Sequence, residues 1–196
     1  RYLSSGFSYL YDVSRAKSPT PGWTMDWDLK DTWETRLGDE PVHVKLHALS
    51  TSGETAIAHG DPPQNKPGNP RRLRYVVQRN QGTDIKSTFV SLVEPYSGTS
   101  PNLKEVTRID LALSPGDHSA AAVRVTTAGG RTDLILSSDD PNRTFDLGDG
   151  VRVAGSFSVV SLISENVTNL FLAAGTLVEL PGGSLSTSRS EYTGTV

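Results

Sequence analysis

Apolar residues in this chain recur at every second position over short stretches, and no window carries a sustained apolar stripe at helical spacing. Val42, Val44, Leu46 and Ala48 alternate with His43, Lys45 and His47. Ile109, Leu111 and Leu113 alternate with Asp110 and Ala112, and Ala121, Val123 and Val125 with Ala122 and Arg124. A two-residue period is that of a pleated strand whose two faces meet different surroundings. Residues 7–14, 132–138, 151–153, 157–163 and 166–174 continue the pattern, with Gly, Pro, Asn and Asp between the runs. Strand-sized runs punctuated in this way predict an all-β, antiparallel β-sandwich rather than an α/β sheet. Val44, Leu46, Leu111 and Val123 are expected to point inward.

Residues 60–70 hold four prolines and cannot continue a sheet ladder. The polar stretch 137–150 (SSDDPNRTFDLGDG) is the best candidate for a boundary. The expected organisation is therefore a β-sandwich over 1–138 and a small additional β unit over 139–196, either separate or continuous with it. A length of 196 residues is enough for one large domain, or a domain with a small appendage.

Charge narrows the partners. The formal net charge of -3 gives no electrostatic case for nucleic acid or an anionic membrane surface. No apolar run reaches the roughly 20 residues of a membrane-spanning helix. Cysteine is absent, which removes disulfides, thiolate metal sites and cysteine nucleophiles. His43 and His47 would stand about 13 Å apart along a strand, too far to share one ion with imidazole ligands about 2 Å away. They are expected on a polar face. The 137–150 stretch is rich in oxygen ligands but lacks the spacing of an EF-hand loop, so calcium is not supported. No cofactor is expected.

Two groups of residues carry binding chemistry. Trp23, Trp27 and Trp33 lie among Asp26, Asp28 and Asp31. Sugar rings stack on indoles while carboxylates accept their hydroxyls, although large aromatics serve more often for packing or for a neighbouring domain. Arg71, Arg72, Arg74 and Arg79 form the concentrated basic patch. Arg72 and Arg74 should share a strand face about 7 Å apart, spaced to grip carboxylates. A solvated strand edge is the plainer alternative. Asn142-Arg143-Thr144 and Asn166-Val167-Thr168 are N-glycosylation triplets, with Asn142 and Asn166 as acceptors.

Residues 73–98 read LRYVVQRNQGTDIKSTFVSLVEPYSG, an alternating strand, a turn and a strand apolar on both faces. This wording resembles the carboxy-terminal β region of heparinase II/III-like polysaccharide lyases. Phe7-Ser8-Tyr9-Leu10-Tyr11-Asp12-Val13-Ser14-Arg15 looks like that family's tyrosine-rich strand. Gly155-Ser156-Phe157-Ser158-Val159-Val160, Leu170-Phe171-Leu172-Ala173-Ala174-Gly175-Thr176 and Tyr192-Thr193-Gly194-Thr195-Val196 look like its closing segment. The resemblance thus extends over most of the chain.

It implies the carboxy-terminal part of an enzyme that cleaves uronic-acid polysaccharides by β-elimination, with an (α/α) toroid upstream. The family's base, acid and carboxylate partner lie chiefly in the toroid cleft and on a strand that would precede Arg1. No catalytic residue is assigned here, and this chain by itself is expected to be inactive. Zinc-containing members place a histidine shortly after the D-x-x-R strand. Residues 22–30 hold none, so zinc is not supported. The expected partners are the toroid, as domain or chain, and an acidic polysaccharide touched by Trp23, Trp27, Arg72 and Arg74. With its Arg1 start and no leader, the chain is expected to be a processed or excised piece of a secreted or periplasmic protein. The competing expectation is a free-standing carbohydrate-binding or cell-surface adhesion β-sandwich.

Overall fold

The computed structural model describes residues 7–31, 34–35, 38–62, 66–69 and 71–187, which form thirteen β-strands and no helix. All pairing is antiparallel, so the expected fold class is the one found. The chain divides into compact units at Arg1–Thr99 and Ser100–Val196.

The first unit holds six strands: β1 (Tyr11–Lys17), β2 (Trp23–Asp28), β3 (Val42–Ala48), β4 (Glu54–Gly60), β5 (Leu73–Arg79) and β6 (Ser91–Ser97). They make two three-stranded sheets, ordered β1-β4-β5 and β2-β3-β6. In the β1-β4-β5 sheet, Ala56 and Ala58 are buried and lie level with Val77 and Tyr75 of β5. Leu10, Phe7 and Val13 pack on the same cluster. Small residues on the central strand leave room for larger ones beside them.

The β2-β3-β6 sheet departs from expectation. His43, Lys45 and His47 share a face with Glu94 and Tyr96, and along β6 it is this face that is buried. His47 is 8%, Glu94 4% and Tyr96 8% exposed, against 60% for Val93 on the opposite face. Val44 and Leu46, expected inside, are only half-buried on that opposite face. The inversion is tolerated because the buried groups satisfy one another. His47 Nε2 lies 3.0 Å from Glu94 Oε2, and the Tyr96 hydroxyl donates to Asp26 Oδ2 at 2.6 Å. His43 stacks on the Tyr96 ring at 4.7 Å.

The second unit holds β7 (Leu103–Ile109), β8 (Ala120–Thr127), β9 (Arg131–Ser138), β10 (Thr144–Gly148), β11 (Val151–Ile163), β12 (Asn166–Leu180) and β13 (Gly183–Ser186). They form one sheet, ordered β13-β12-β11-β9-β8-β7, with β10 pairing the first half of β11. The second half of β11 pairs β9. Between the halves the β11–β12 register slips at Ala154/Gly155, and Gly155 lies opposite Gly175. There the sheet folds over. Phe145, Leu147, Val151, Val153 and Val178 from one half share a core with Leu134, Leu136, Ala122, Val160 and Leu162 from the other.

Three sequence expectations are corrected here. Residues 137–150 are no boundary between compact units: they carry β10 and join β9 to β11, which pair with each other. Residues 110–113 are not strand, because the Asp110 carboxylate accepts the Ala112 N–H at 2.9 Å and Ala112 turns to a φ of 51°. Leu111 still packs on the core. Val123 faces away from it, since Ala122 is the β8 residue level with buried Leu136.

Candidate functional site

The end of the β1-β4-β5 sheet where β4 leaves toward β5 gathers six chemically active side chains. His59 is the penultimate residue of β4, and the antiparallel register places Tyr11 of β1 on one side of it and Arg74 of β5 on the other. Simple alternation would send Asp12 to the other face from Tyr11. A bulge between Tyr11 and Ser14, with Asp12 at a φ of 49°, re-aims it instead. Asp12 Oδ2 comes to 3.5 Å from His59 Nδ1. Gly60 closes β4 on the inner face, where a Cβ would meet the Tyr75 ring at 2.9 Å and Leu10 at 3.0 Å. The site thus rests on the packed side of the same sheet.

Arg74 Nη2 lies 3.3 Å from His59 Nε2. A guanidinium can only donate, so Nε2 is the acceptor in this contact, while the buried Nδ1, 3.5 Å from Asp12, has no hydrogen-bond partner among the described residues. The Arg72 guanidinium lies 5.6 Å over the Tyr11 ring, a cation–π contact. The Tyr11 hydroxyl donates to Asp61 Oδ1 at 2.6 Å. That hydrogen bond is the main reason the Tyr11 phenol is held above its ordinary pKa, with burial and the Asp61 charge adding and Arg72 partly opposing. Tyr11 therefore keeps its hydroxyl proton at neutral pH and acts as a hydrogen-bond donor. Asp61 and Asp12 are each occupied by a neighbour, while Arg72 and Arg74 are exposed and form no ion pair with a carboxylate among the described residues. The arrangement suits reception of an anion by two guanidiniums beside an aromatic ring.

Of the residues singled out from sequence, Arg72 and Arg74 are brought together here. Trp23 and Trp27 are not part of this cluster: they lie on β2 with Met25 between them, half-buried on the face shared by Val44, Leu46 and Val93. Strand alternation puts Asp26 and Asp28 on the opposite face, so indoles and carboxylates do not form one platform. The Trp23 Nε1 is buried without a hydrogen-bond partner among the described residues. Trp33 lies outside the described residues. Asn142 and Asn166 are both exposed, at the 139–143 turn and beside the β11–β12 hairpin turn. His43 and His47 were expected on a polar face and share one with Lys45, Glu94 and Tyr96, where His47 is buried against Glu94.

Sequence reasoning missed Tyr11, Asp12, His59 and Asp61 as a set. One signal was present. Gly60 and Leu73 flank the proline-rich loop, and pairing them as a hairpin puts His59 beside Arg74. The β1 contribution had no local signal.

An open groove of about 500 Å³ in the second unit is lined by Arg108, Asp110, Arg124 and Asp146. Asp110 and Asp146 bond the backbone of Ala112 and Gly148, and Arg124 pairs with Asp149. These side chains shape the turns that form the groove. In comparisons with known proteins, neither a family model nor a curated protein matches the chain.

Proposed function

We propose that this chain is the carboxy-terminal, non-catalytic β portion of a heparinase II/III-like polysaccharide lyase acting on uronic-acid polysaccharides. In this reading Arg72 and Arg74, beside Tyr11 and His59, receive uronate carboxylates and the chain flanks the cleavage site. The observation that supports it is the delivery of two exposed arginines, unpaired with any carboxylate among the described residues, to one face beside an aromatic ring. Guanidiniums bind carboxylates in a two-pronged geometry, and pyranose rings settle on aromatic surfaces. The upstream toroid would supply the chemistry, and secretion or a periplasmic home follows from a polymeric extracellular substrate.

The test is calorimetry of the 196-residue chain with oligoglucuronate, heparin-like and alginate oligosaccharides. Saturable binding is expected, lost in Arg72→Ala/Arg74→Ala, with no release of unsaturated uronate. Absence of binding to all three would overturn the assignment. Unsaturated product would overturn the non-catalytic part.

A second reading, a free-standing carbohydrate-binding or adhesion sandwich, is favoured by the half-buried tryptophans of β2 and the unpartnered Trp23 Nε1. Neutral glycan binding that depends on Trp23 and Trp27, and not on the arginines, would select it.

A further inference from the structure

Asp61 leaves β4 where Arg72 enters β5, each one residue beyond Gly60–Leu73, the last pair of that ladder. Opposite charges placed so on neighbouring strands ordinarily pair with each other. These two do not: among the described residues Arg72 forms no ion pair with any carboxylate, and both groups are engaged by Tyr11 of β1 instead. The Tyr11 hydroxyl donates to Asp61 Oδ1 at 2.6 Å, and the Arg72 guanidinium lies 5.6 Å over its ring. A hydrogen bond to an ionised carboxylate outweighs an exposed ion pair, so the hydroxyl is the stronger claimant on Asp61. Pro62 follows Asp61 and confines its backbone to extended conformations, which limits how far the carboxylate can swing. Asp12, the other carboxylate of the cluster, sits against His59 at 3.5 Å.

We propose that Tyr11 is a positioning residue that keeps Arg72 open to ligand: it holds Asp61 by its hydroxyl and Arg72 on its ring, so that the two charges do not neutralise each other. The guanidinium is then left for the carboxylate of a uronic-acid sugar. This rests on the assignment of the arginine pair as the uronate site. Tyr11 acts through its neighbours, and its value to binding is the competition it prevents. Without the hydroxyl, Asp61 is a carboxylate already tethered beside Arg72, and a ligand carboxylate has to displace it. The phenol ring and its hydroxyl thus have separate tasks, one under the guanidinium and one on the aspartate.

The probe is a glucuronic-acid tetrasaccharide, titrated calorimetrically at neutral pH and low salt, with thermal melts of every variant alongside. Tyr11→Phe keeps the ring that meets Arg72 and His59 and removes only the hydroxyl. It should weaken binding about three- to fivefold, the strength of one exposed ion pair turned against the ligand. Adding Asp61→Asn, which removes the competing charge, should recover most of that loss. In the parent, where Tyr11 already occupies Asp61, the same Asp61→Asn change should improve affinity by less than about twofold. A role confined to folding would give no such rescue. A readout without ligand is the structure of Tyr11→Phe, in which Arg72 should have turned from the ring onto Asp61. Tyr11→Phe binding as tightly as the parent, an equal gain from Asp61→Asn in both backgrounds, or Arg72 staying on the ring would refute the positioning role and leave the site standing. No binding by the parent would instead overturn the site reading, and this role with it.

Discussion

Gly175→Ala tests whether the second unit is one sheet folded at a glycine pair. A Cβ at Gly175 would lie 2.6 Å from Leu172 Cδ1 and Cγ and 2.7 Å from the Ala154 carbonyl oxygen. Carbon contacts settle near 3.5–4.0 Å, so the deficit is about 1 Å, partly against backbone that no rotamer change relieves. Overpacking of this kind costs about 1–3 kcal/mol. The φ of Gly175 is not in the left-handed region, so alanine recovers about 0.4–1 kcal/mol by restricting the unfolded chain. A net loss of about 1–2 kcal/mol remains, or a fall of about 5–15 °C in the melting of a unit this size. Gly155→Ala should cost less, because the only contact there below 3.0 Å is the terminal Leu172 methyl. In a Leu172→Ala background the Gly155→Ala penalty should vanish, while most of the Gly175→Ala penalty stays. Thermal melts followed by circular dichroism on the intact chain decide the matter. A Gly175→Ala midpoint within about 2 °C of the parent, or full rescue by Leu172→Ala, would refute the corner.

The Tyr96 phenol, hydrogen-bonded to Asp26, has its pKa pushed up to about 12. Its contribution is therefore complete below the unfolded value near 10 and is lost as pH rises from about 10 to about 12. Denaturation midpoints should fall across that window, and the fall should be shallower in Tyr96→Phe. Hydrogen bonds from Ser119 and the Arg143 guanidinium hold the Asp117 carboxyl well below the usual range, so its contribution is present above about pH 4 and is lost as pH falls further. Asp117→Asn should flatten that acid limb, read as urea midpoints between pH 2 and 5. Glu94→Ala removes the partner of His47 in a site where Glu94 is 4% exposed, and should cost about 3 kcal/mol in urea denaturation at pH 7.

Strand positions were legible where alternation was strong. The run Val42–Ala48 is β3 from end to end, and residues 73–79 are β5. Alternation reports that two faces differ, but not which one is covered. In β3 both faces end in a buried residue, and on the polar one His47 is covered because it finds Glu94 at a separation of 47 residues, a pairing that no local pattern contains. β7 was misplaced for a related reason: its exposure pattern is irregular at the sheet edge, while the clean alternation of 109–113 belongs to a side-chain-bonded turn. The polar composition of 137–150 concealed β10, whose Phe145 and Leu147 supply two of the buried side chains of the second core. Arg72 and Arg74 could be read as a pair from spacing. Their neighbours arrive from β1 and β4, and only the sheet brings them together.

The first unit contains two clusters of the same chemical type, and the contrast between them assigns their roles. Each has a tyrosine donating to an aspartate and a histidine beside a carboxylate: Tyr11–Asp61 with His59–Asp12, and Tyr96–Asp26 with His47–Glu94. In the second, Tyr96, His47 and Glu94 are nearly closed to solvent, and the groups answer one another. Changes there should move the melting transition. In the first, the aspartates are occupied but the two guanidiniums are exposed and meet no carboxylate among the described residues, which leaves positive charge facing water. Of the two clusters, this one presents unpaired positive charge to solvent. Substitutions at Arg72 and Arg74 should therefore alter binding of the proposed acidic oligosaccharides more than folding, and substitutions at Tyr96 and Glu94 the reverse.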